Sequence, residues 1–239
     1  EQAEQAGIID ALKRRAAEYV KSLPNFFCIQ ATRRLVDGTG SGNWKERDSW
    51  QDVLSYVDGR EHYRRVKLND AKDEASKASE RVSSRGEFGG VLDAVFSEKS
   101  AATFKWKAWA ELNGEKVHVF EYKVLREHSR YALTWDGRWE GRSYWRADPA
   151  YDGEIFVDAQ TYDVKRITLR TGAVPPKFPI QQATHEIDYQ LTKIGDVERM
   201  MPVQAVMQSR VGARRLVRNE IRFREYGMWG AKSAVSYEK

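Results

Sequence analysis

Cysteine is almost absent from this chain of 239 residues, in which Cys28 stands alone. A lone cysteine excludes an intramolecular disulfide and any site built from several thiolates. No apolar run reaches the roughly 18 residues that a membrane-spanning helix needs, and the opening residues do not resemble a signal peptide. Because the chain also lacks an initiating Met, the missing signal peptide says little about its compartment.

The chain also has no large excess of positive or of negative charge. Forty Lys and Arg against 35 Asp and Glu give a net charge of +5, which falls short of a polybasic composition. Hydrophobic residues make up 41% of the chain, and the aromatic residues comprise 8 Trp, 11 Tyr and 9 Phe, so global disorder is excluded. With no shift in composition and no internal repeat, we expect one globular domain over residues 1–239.

One amphipathic helix is predicted at the start of the chain. Between Ala3 and Leu23, apolar side chains recur every three or four residues, and Pro24 ends the run. Phe26 to Val36 is rich in aromatic and β-branched residues and is predicted as the first strand. A second, short helix is predicted over Glu87 to Phe96, where apolar residues again follow helical spacing.

The rest of the sequence consists of strand-forming runs separated by turn residues, which predicts a long antiparallel meander. Strong hairpin signals stand at Asp58-Gly59, Asn113-Gly114 and Asp136-Gly137, and weaker turn signals at Asp37-Gly38, Asp152-Gly153 and Gly195-Asp196. The Pro-rich residues 174–179 predict a rigid, extended connection. Asn69 to Ser84 has almost no large apolar side chain, which predicts a mobile, solvated loop or a frayed helix.

The hairpin at Asn113-Gly114 predicts a register and an apolar face. A two-residue loop places Ala108 opposite Val119 and Trp106 opposite Glu121. One side of this hairpin is then mostly apolar, whereas the other mixes aromatic side chains with lysines. The apolar side consists of Trp106, Ala108, Ala110, Leu112, Val117 and Val119. The same counting at Asp58-Gly59 pairs Leu54 with Tyr63 and Asp52 with Arg65.

Signatures of catalysis or metal binding are lacking. The four histidines are dispersed, with no metal-ligand spacing, and Cys28 is predicted to be a buried, inert thiol. The glycine-rich residues 38–42 predict a loop, because no Lys-Ser/Thr follows them as in a phosphate loop. The acidic residues Asp148, Asp152, Glu154 and Asp158 lack calcium-ligand spacing. We therefore expect no enzyme activity, no cofactor and no metal, with a motif-less hydrolase as a minor alternative.

Two features leave alternatives open. Arg222 and Arg224 alternate with Ile221 and Phe223, so that the basic side chains share one strand face. This face, which also includes Arg218, is either a solvated surface or a contact for lipid headgroups or an acidic protein; nucleic acid is not expected, because no RNP-type aromatic platform is present. The eight tryptophans either fill a core or line the apolar cavity of a curved sheet.

Residues Gly153 to Arg170 resemble the strand-turn-strand of the lipoprotein-localisation factors (LolA/LolB-like). The positions that carry the resemblance are Gly153, Ile155, Val157, Asp158, Thr161, Val164, Arg166 and Ile167. Tyr19 to Arg34 is similar to the helix-to-strand entry of outer-membrane lipoprotein-sorting-like proteins. The resemblance implies a mainly β α+β fold, in which a long antiparallel sheet forms an unclosed half-barrel with the two helices on its concave side. It further implies an apolar concavity that accepts acyl chains, in a periplasmic or otherwise exported protein whose signal peptide has been removed.

The expected function is non-enzymatic binding of a lipid or of the acyl chains of a lipoprotein in the bacterial envelope. The six residues of the predicted apolar face would line or support the ligand site, and Arg218, Arg222 and Arg224 would contact headgroups or a partner. The alternative is an envelope regulatory or scaffolding module, which binds another protein through its basic, aromatic surface and loses that partner as salt rises.

Overall fold

In the computed structural model, which describes residues 2–70 and 86–228, ten strands form one antiparallel sheet and two strands form a separate hairpin. The large sheet has the order β3-β2-β1-β12-β11-β10-β9-β8-β5-β4, and β6 pairs with β7. The strands are β1 (Phe26–Asp37), β2 (Lys45–Val57), β3 (Arg60–Asp70), β4 (Thr103–Leu112), β5 (Glu115–Val124), β6 (Leu133–Trp139), β7 (Arg142–Ala147), β8 (Tyr151–Asp158), β9 (Val164–Thr171), β10 (Ile180–Ile194), β11 (Val197–Val211) and β12 (Arg215–Met228). Since β3 and β4 are the two edges, the sheet is an unclosed half-barrel, and the predicted fold class is confirmed.

Two helices lie on one side of the sheet, which we call the concave face; the opposite side is the outer face. Helix α1 spans Gln2–Ser22 and helix α2 spans Gly90–Phe96. The first helix thus matches its prediction, whereas the second begins three residues later than Glu87. The delay has a local cause, because Gly89 has φ 136°, which no helical residue adopts.

The concave face carries two apolar clusters. The larger one joins α1 and α2 to the sheet and includes Leu12, Phe88 and Leu92. The smaller one lies under the β6–β7 hairpin and joins Leu133 and Trp135 to β10, β11 and β12. Three of the tryptophans, Trp135, Trp139 and Trp145, belong to this second cluster or pack against it, so they serve as core.

The hairpin prediction holds at two of its three strong sites. Asp58-Gly59 and Asn113-Gly114 form two-residue turns in which both residues have positive φ. The prediction at Asp136-Gly137 is wrong, because Gly137 lies inside β6 and the turn is made by Glu140-Gly141, with φ of 44° and 81°. The register of the β6–β7 ladder shifts between Asp136 and Trp139, so the Asp-Gly pair belongs to a bulge.

Of the weaker turn signals, Asp37-Gly38 marks the end of β1 and Gly195-Asp196 lies between β10 and β11, whereas Asp152-Gly153 is not a turn. Gly153 is inside β8, where a Cβ atom would stand 2.0 Å from the carbonyl oxygen of Thr168 in β9. The glycine is therefore required by a close approach of two strands. The Pro-rich residues 174–179 connect β9 to β10, but they are not extended: the Phe178 N–H donates to the Pro175 carbonyl, which closes a turn.

The loop after β1 is organised by one carboxylate. Asp37 accepts hydrogen bonds from the backbone N–H groups of Thr39, Gly40 and Gly42. Burial opposes its ionisation, but the hydrogen bonds from Thr39 and the two glycines outweigh burial and lower the pKa of Asp37 to about 2. The predicted loop over residues 38–42 is thus confirmed. Of the predicted mobile segment, Asn69 and Asp70 end β3, and residues 71–84 lie outside the described residues.

Candidate ligand site on the concave face

Helix α1 lies over the concave face. Ile8, Leu12 and Ala16 are buried and repeat every four residues, so they form one stripe along the helix. Lys13 Nζ lies 5.2 Å from the ring centroid of Phe104 in β4, and the ring of Tyr19 meets that of Tyr189 in β10 edge-on at 6.1 Å. The helix therefore covers the part of the sheet between β4 and β10.

The floor beneath the helices is an apolar row formed by cross-strand partners. Phe120 of β5 faces Ile155 of β8, and directly paired residues continue the row across β9, β10, β11 and β12. Each member is at most 1% exposed. This apolar floor consists of Phe120, Ile155, Ile167, Ile187, Ala205 and Ile221. A row of this kind offers a continuous hydrocarbon surface across six strands.

The helices fill the space above the floor. A cavity of about 30 Å³ remains beside α1, lined by Tyr19, Leu92, Tyr189 and Met200 among others. This volume is close to that of one water molecule, so this cavity admits a hydrocarbon chain only after a helix has moved. A pocket of about 550 Å³ beside the start of α2, lined by Tyr56, Glu61 and Phe88 among others, lies away from the floor. The apolar concavity implied by the resemblance is thus covered by the protein's own helices.

Helix α1 is held mainly by apolar contacts. One ion pair joins it to the turn between β8 and β9, where Arg15 Nη1 lies 2.8 Å from Asp163 Oδ1 and the Arg15 side chain is half exposed. An exposed pair of this kind contributes about 0–1 kcal/mol. Ile8 and Leu12 each contribute roughly 1.5–3 kcal/mol by their burial. The contacts that hold α1 are therefore of the type that an apolar ligand can replace.

The predicted register of β4 and β5 is correct near the turn and wrong beyond Ala108. Ala108 faces Val119 as predicted, but Trp106 faces Phe120 instead of Glu121. Lys107 lies at the shift in register, as the extra residue of a β-bulge, and its Nζ contacts the carboxylates of Glu121 and Glu154 on the outer face. The alternation of apolar and polar residues gives no sign of an ion-paired bulge. The register counted from the turn was therefore wrong beyond Ala108.

The bulge separates the six residues that were predicted to line the ligand face. Trp106 packs against the larger core cluster on the concave face. Five residues lie on the outer face instead: Ala108, Ala110, Leu112, Val117 and Val119. The prediction that all six share one face is therefore wrong. Trp109, which the prediction omitted, lies opposite His118 on the side of Trp106.

An exposed aromatic group stands at the β4 edge of the concave face. Trp109 is 48% exposed, and its ring lies 3.9 Å from the ring of His118. Lys116 Nζ lies 4.0 Å from the same indole ring, which is within cation–π range. An apolar ring with a cation on its face suits a position where an apolar site meets water.

Three of the four arginines of β12, Arg218, Arg222 and Arg224, lie on the outer face. Arg218 Nε is 3.2 Å from Glu220, so its charge is compensated. Arg222 and Arg224 are exposed beside the uncharged Ala31 and Ile29 of β1, and Arg224 Nε also lies 3.5 Å from Oε1 of the exposed Glu225. The predicted alternation is confirmed, because Ile221 and Phe223 are buried on the concave face.

The acidic residues of positions 148–158 each face a cation. Asp148 pairs with Arg146, Asp152 with Arg170, Glu154 with Lys107 and Asp158 with Lys165. Two of these residues, Asp152 and Glu154, border a shallow groove of about 920 Å³ on the outer face of β4 to β12. The charges along this groove alternate in sign, which is the pattern of a solvated sheet surface.

A buried polar cluster before α2 is absent from the sequence-based expectations. Glu61 of β3 accepts hydrogen bonds from the hydroxyl of Tyr63 and from the backbone N–H groups of Gly86 and Phe88. Burial raises the pKa of Glu61, and the nearby charge of Glu87 raises it further. The Glu87 side chain is fully buried, with Oε1 3.5 Å from Nε2 of His185. This cluster fixes the segment that leads into α2.

Some solved structures align with most of this chain at low sequence identity. A LolA superfamily protein from Nitrosomonas europaea has a TM-score of 0.41 and 9% identity, over 93% of this chain and 94% of that chain. An outer membrane lipoprotein-sorting protein domain from Vibrio parahaemolyticus has a TM-score of 0.43 and 8% identity, over 93% and 92%. A DUF1329 family protein from Desulfovibrio piger has a TM-score of 0.41 and 10% identity, over 96% and 94%.

No protein-family profile matches the chain, and no curated protein matches it. In the described residues, no helix is both long and apolar enough to cross a membrane. Two of these solved structures, with TM-scores of 0.41 and 0.43, carry descriptions of the kind that Gly153 to Arg170 and Tyr19 to Arg34 resemble in sequence.

Proposed function

We propose that the protein binds an acyl chain, as part of a lipid or of an acylated protein, on the apolar floor in the bacterial envelope, and that it catalyses no reaction. The observation that supports this proposal is the cover of the floor: among its described side chains, α1 buries Ile8, Leu12 and Ala16, and packs the partly buried Ile9 and Tyr19, above a row of apolar side chains from six strands. In this proposal the ligand takes the place of α1.

The free energies of burial make such an exchange feasible. Exposing Ile8 and Leu12 costs about 3–6 kcal/mol in lost burial. An acyl chain that buries about twelve methylene groups gains about 10 kcal/mol, at about 0.8 kcal/mol for each group. The difference of about 4–7 kcal/mol is of the same order as the roughly 4–15 kcal/mol that association and ordering of the ligand cost. An exchange of α1 for a ligand is therefore energetically feasible without a preformed cavity.

The position of Trp106 and Trp109 supports the same site. Both lie on the concave side of the edge strand β4, and Lys13 places α1 beside Phe104 of that strand. When α1 moves away, this edge is open, since β4 has no further strand beside it in the described sheet. An acyl chain can then enter past an aromatic rim with Lys116 near the headgroup.

A crosslink between α1 and the sheet tests the proposal. Arg15→Cys and Asp163→Cys, bridged by a short bismaleimide, would fix α1 in place, and Cys28 gives little background because it is fully buried. We expect parinaric acid, a fluorescent fatty acid, to bind the unbridged double variant saturably and to lose this binding after bridging.

The two single-cysteine variants treated with the same reagent are the controls, and we expect both to bind as the wild type does. Equal uptake before and after bridging would show that the ligand does not replace α1. No saturable uptake by the wild type would reject the acyl-binding function and favour the regulatory module.

A further inference from the structure

The outer face carries four cations at the corners of a neutral strip. One cross-strand row runs Arg222, Ala31, Gln51, Lys67, and the next row runs Arg224, Ile29, Val53, Arg64, over β12, β1, β2 and β3. Each row thus begins and ends with a cation. At the usual strand spacing of about 4.8 Å, the two ends of a row are roughly 14 Å apart. We call these eight residues the basic face.

The charge of the basic face differs from that of the remaining outer face. No carboxylate stands among its eight positions, whereas Glu46 and Glu220 pair with Arg33 nearer the other end of the same strands. On the β11 side, Gln204 separates Arg222 from Asp188, which is bound by Arg166. Among the described residues, two carboxylates border the face: Glu225, 3.5 Å from Arg224, and Glu220 in the row next to Arg222, which pairs with Arg33 and Arg218. The basic face is therefore a local excess of positive charge in a sheet surface that is otherwise balanced.

The spacing restricts the kind of anion that fits. A single small anion cannot reach two corners that are roughly 14 Å apart. Three of the corners are arginines, whose guanidinium groups bind phosphate oxygens in a bidentate manner. The matching ligand therefore presents several phosphate groups over a broad area. Lipid headgroups at a membrane surface and nucleic acids both do so.

The neutral strip distinguishes these two ligands. Its members are Ile29, Ala31, Gln51 and Val53, all of them partly buried and none of them aromatic. Nucleic-acid-binding sheets stack bases on aromatic side chains, which this strip does not offer. A plane of lipid headgroups requires only cations on a broad surface, each contributing about 1 kcal/mol near anionic lipid.

We propose that the basic face docks the protein onto a membrane surface rich in anionic phospholipid, through contacts of Arg64, Lys67, Arg222 and Arg224 with headgroup phosphates. The docking site is on the opposite side of the sheet from the apolar floor. It does not depend on the acyl-binding function proposed above, so either proposal can fail alone.

Sedimentation with lipid vesicles tests this proposal. The wild type is mixed with phosphatidylcholine vesicles that contain about 30% phosphatidylglycerol, at about 0.05 M and 0.15 M salt. We expect binding that weakens with salt and is lost on pure phosphatidylcholine. In Arg222→Gln with Arg224→Gln, we expect the partition coefficient to fall about 25-fold, or about fivefold for each cation.

The matched control removes two exposed lysines from the other end of the outer face. Lys105→Gln with Lys123→Gln changes the net charge by the same amount, on β4 and β5. We expect this control to bind the anionic vesicles within about twofold of the wild type. Parinaric acid uptake, measured in parallel, should be the same in all three proteins.

Several results would overturn the docking proposal. Equal losses in both double variants would indicate a general effect of net charge. Competition by glycerophosphate at the same phosphate concentration as the lipid would indicate a site for one phosphate. Tighter binding to duplex DNA than to the vesicles, lost in the Arg222/Arg224 variant, would assign the face to nucleic acid. The absence of binding to anionic vesicles would reject it outright.

Discussion

Leu12→Ala should weaken the fold and at the same time tighten ligand binding. Leu12 is fully buried at the centre of the α1 stripe, so the substitution removes buried methyl groups and leaves a cavity above the floor. Such substitutions cost about 2–5 kcal/mol, and we expect about 3 kcal/mol here. If the ligand replaces α1, the same loss destabilises the closed state with which the ligand competes. At 1.4 kcal/mol for each factor of ten, the apparent affinity can rise by up to about 150-fold.

Urea denaturation and parinaric acid titration measure the two effects of Leu12→Ala. Leu133→Ala is the matched control, since Leu133 is equally inaccessible, at 2% exposure, but lies under the β6–β7 hairpin in the other cluster. We expect the control to lose a similar amount of stability with no change in affinity. An unchanged or weaker affinity in Leu12→Ala would refute the exchange of α1 for ligand, whatever happens to the stability.

Two further predictions concern buried charges. Asp48→Ala should cost about 3–5 kcal/mol in urea denaturation, because it leaves the buried Arg34 without its carboxylate; Arg34→Met with Asp48→Leu should recover most of this loss, and no recovery would contradict the argument. The raised pKa of Glu61 means that its contribution to stability is present at low pH and is lost as the pH rises above 4.5 and through the folded-state pKa. The free energy of unfolding of Glu61→Gln, measured relative to that of the wild type, should therefore increase as the pH rises from about 4.5 to 8. A difference that stays constant across that range would exclude this linkage.

Local turn chemistry explains which strand connections could be predicted. Asn113 and Gly114 have φ of 53° and 83°, and an Asn-Gly pair adopts such angles at little cost. Asp136-Gly137 carries the same signal, but Gly137 is buried within β6. There, a residue without a side chain fits the bulge between Asp136 and Trp139. The turn goes to Glu140-Gly141, although glutamate is uncommon at positive φ. Tertiary packing thus overrides the local preference at this hairpin.

The candidate site was less accessible to prediction, because its parts are distant in the chain. The alternation along β12 correctly placed Arg222 and Arg224 on one face, because successive side chains of a strand point to opposite sides of the sheet. It failed at Trp106, because the bulge at Lys107 depends on Glu154, which lies 47 residues further along. The bonds from Gly86 to Glu61 likewise join residues 25 apart, and no local pattern records them.

Chain connectivity determines how α1 can leave the floor. The helix ends at Ser22 and β1 begins at Phe26, so three residues connect them and reach at most about 10 Å. Tyr19, near this end, remains close to Tyr189, whereas Ile8 and Leu12 can move furthest. The floor therefore opens first toward β4, because Lys13 lies over Phe104 of that strand. Ligand entry past Trp106 and Trp109 follows from the position of this hinge, and an acyl chain bearing a fluorescence quencher should quench these tryptophans before those under the β6–β7 hairpin.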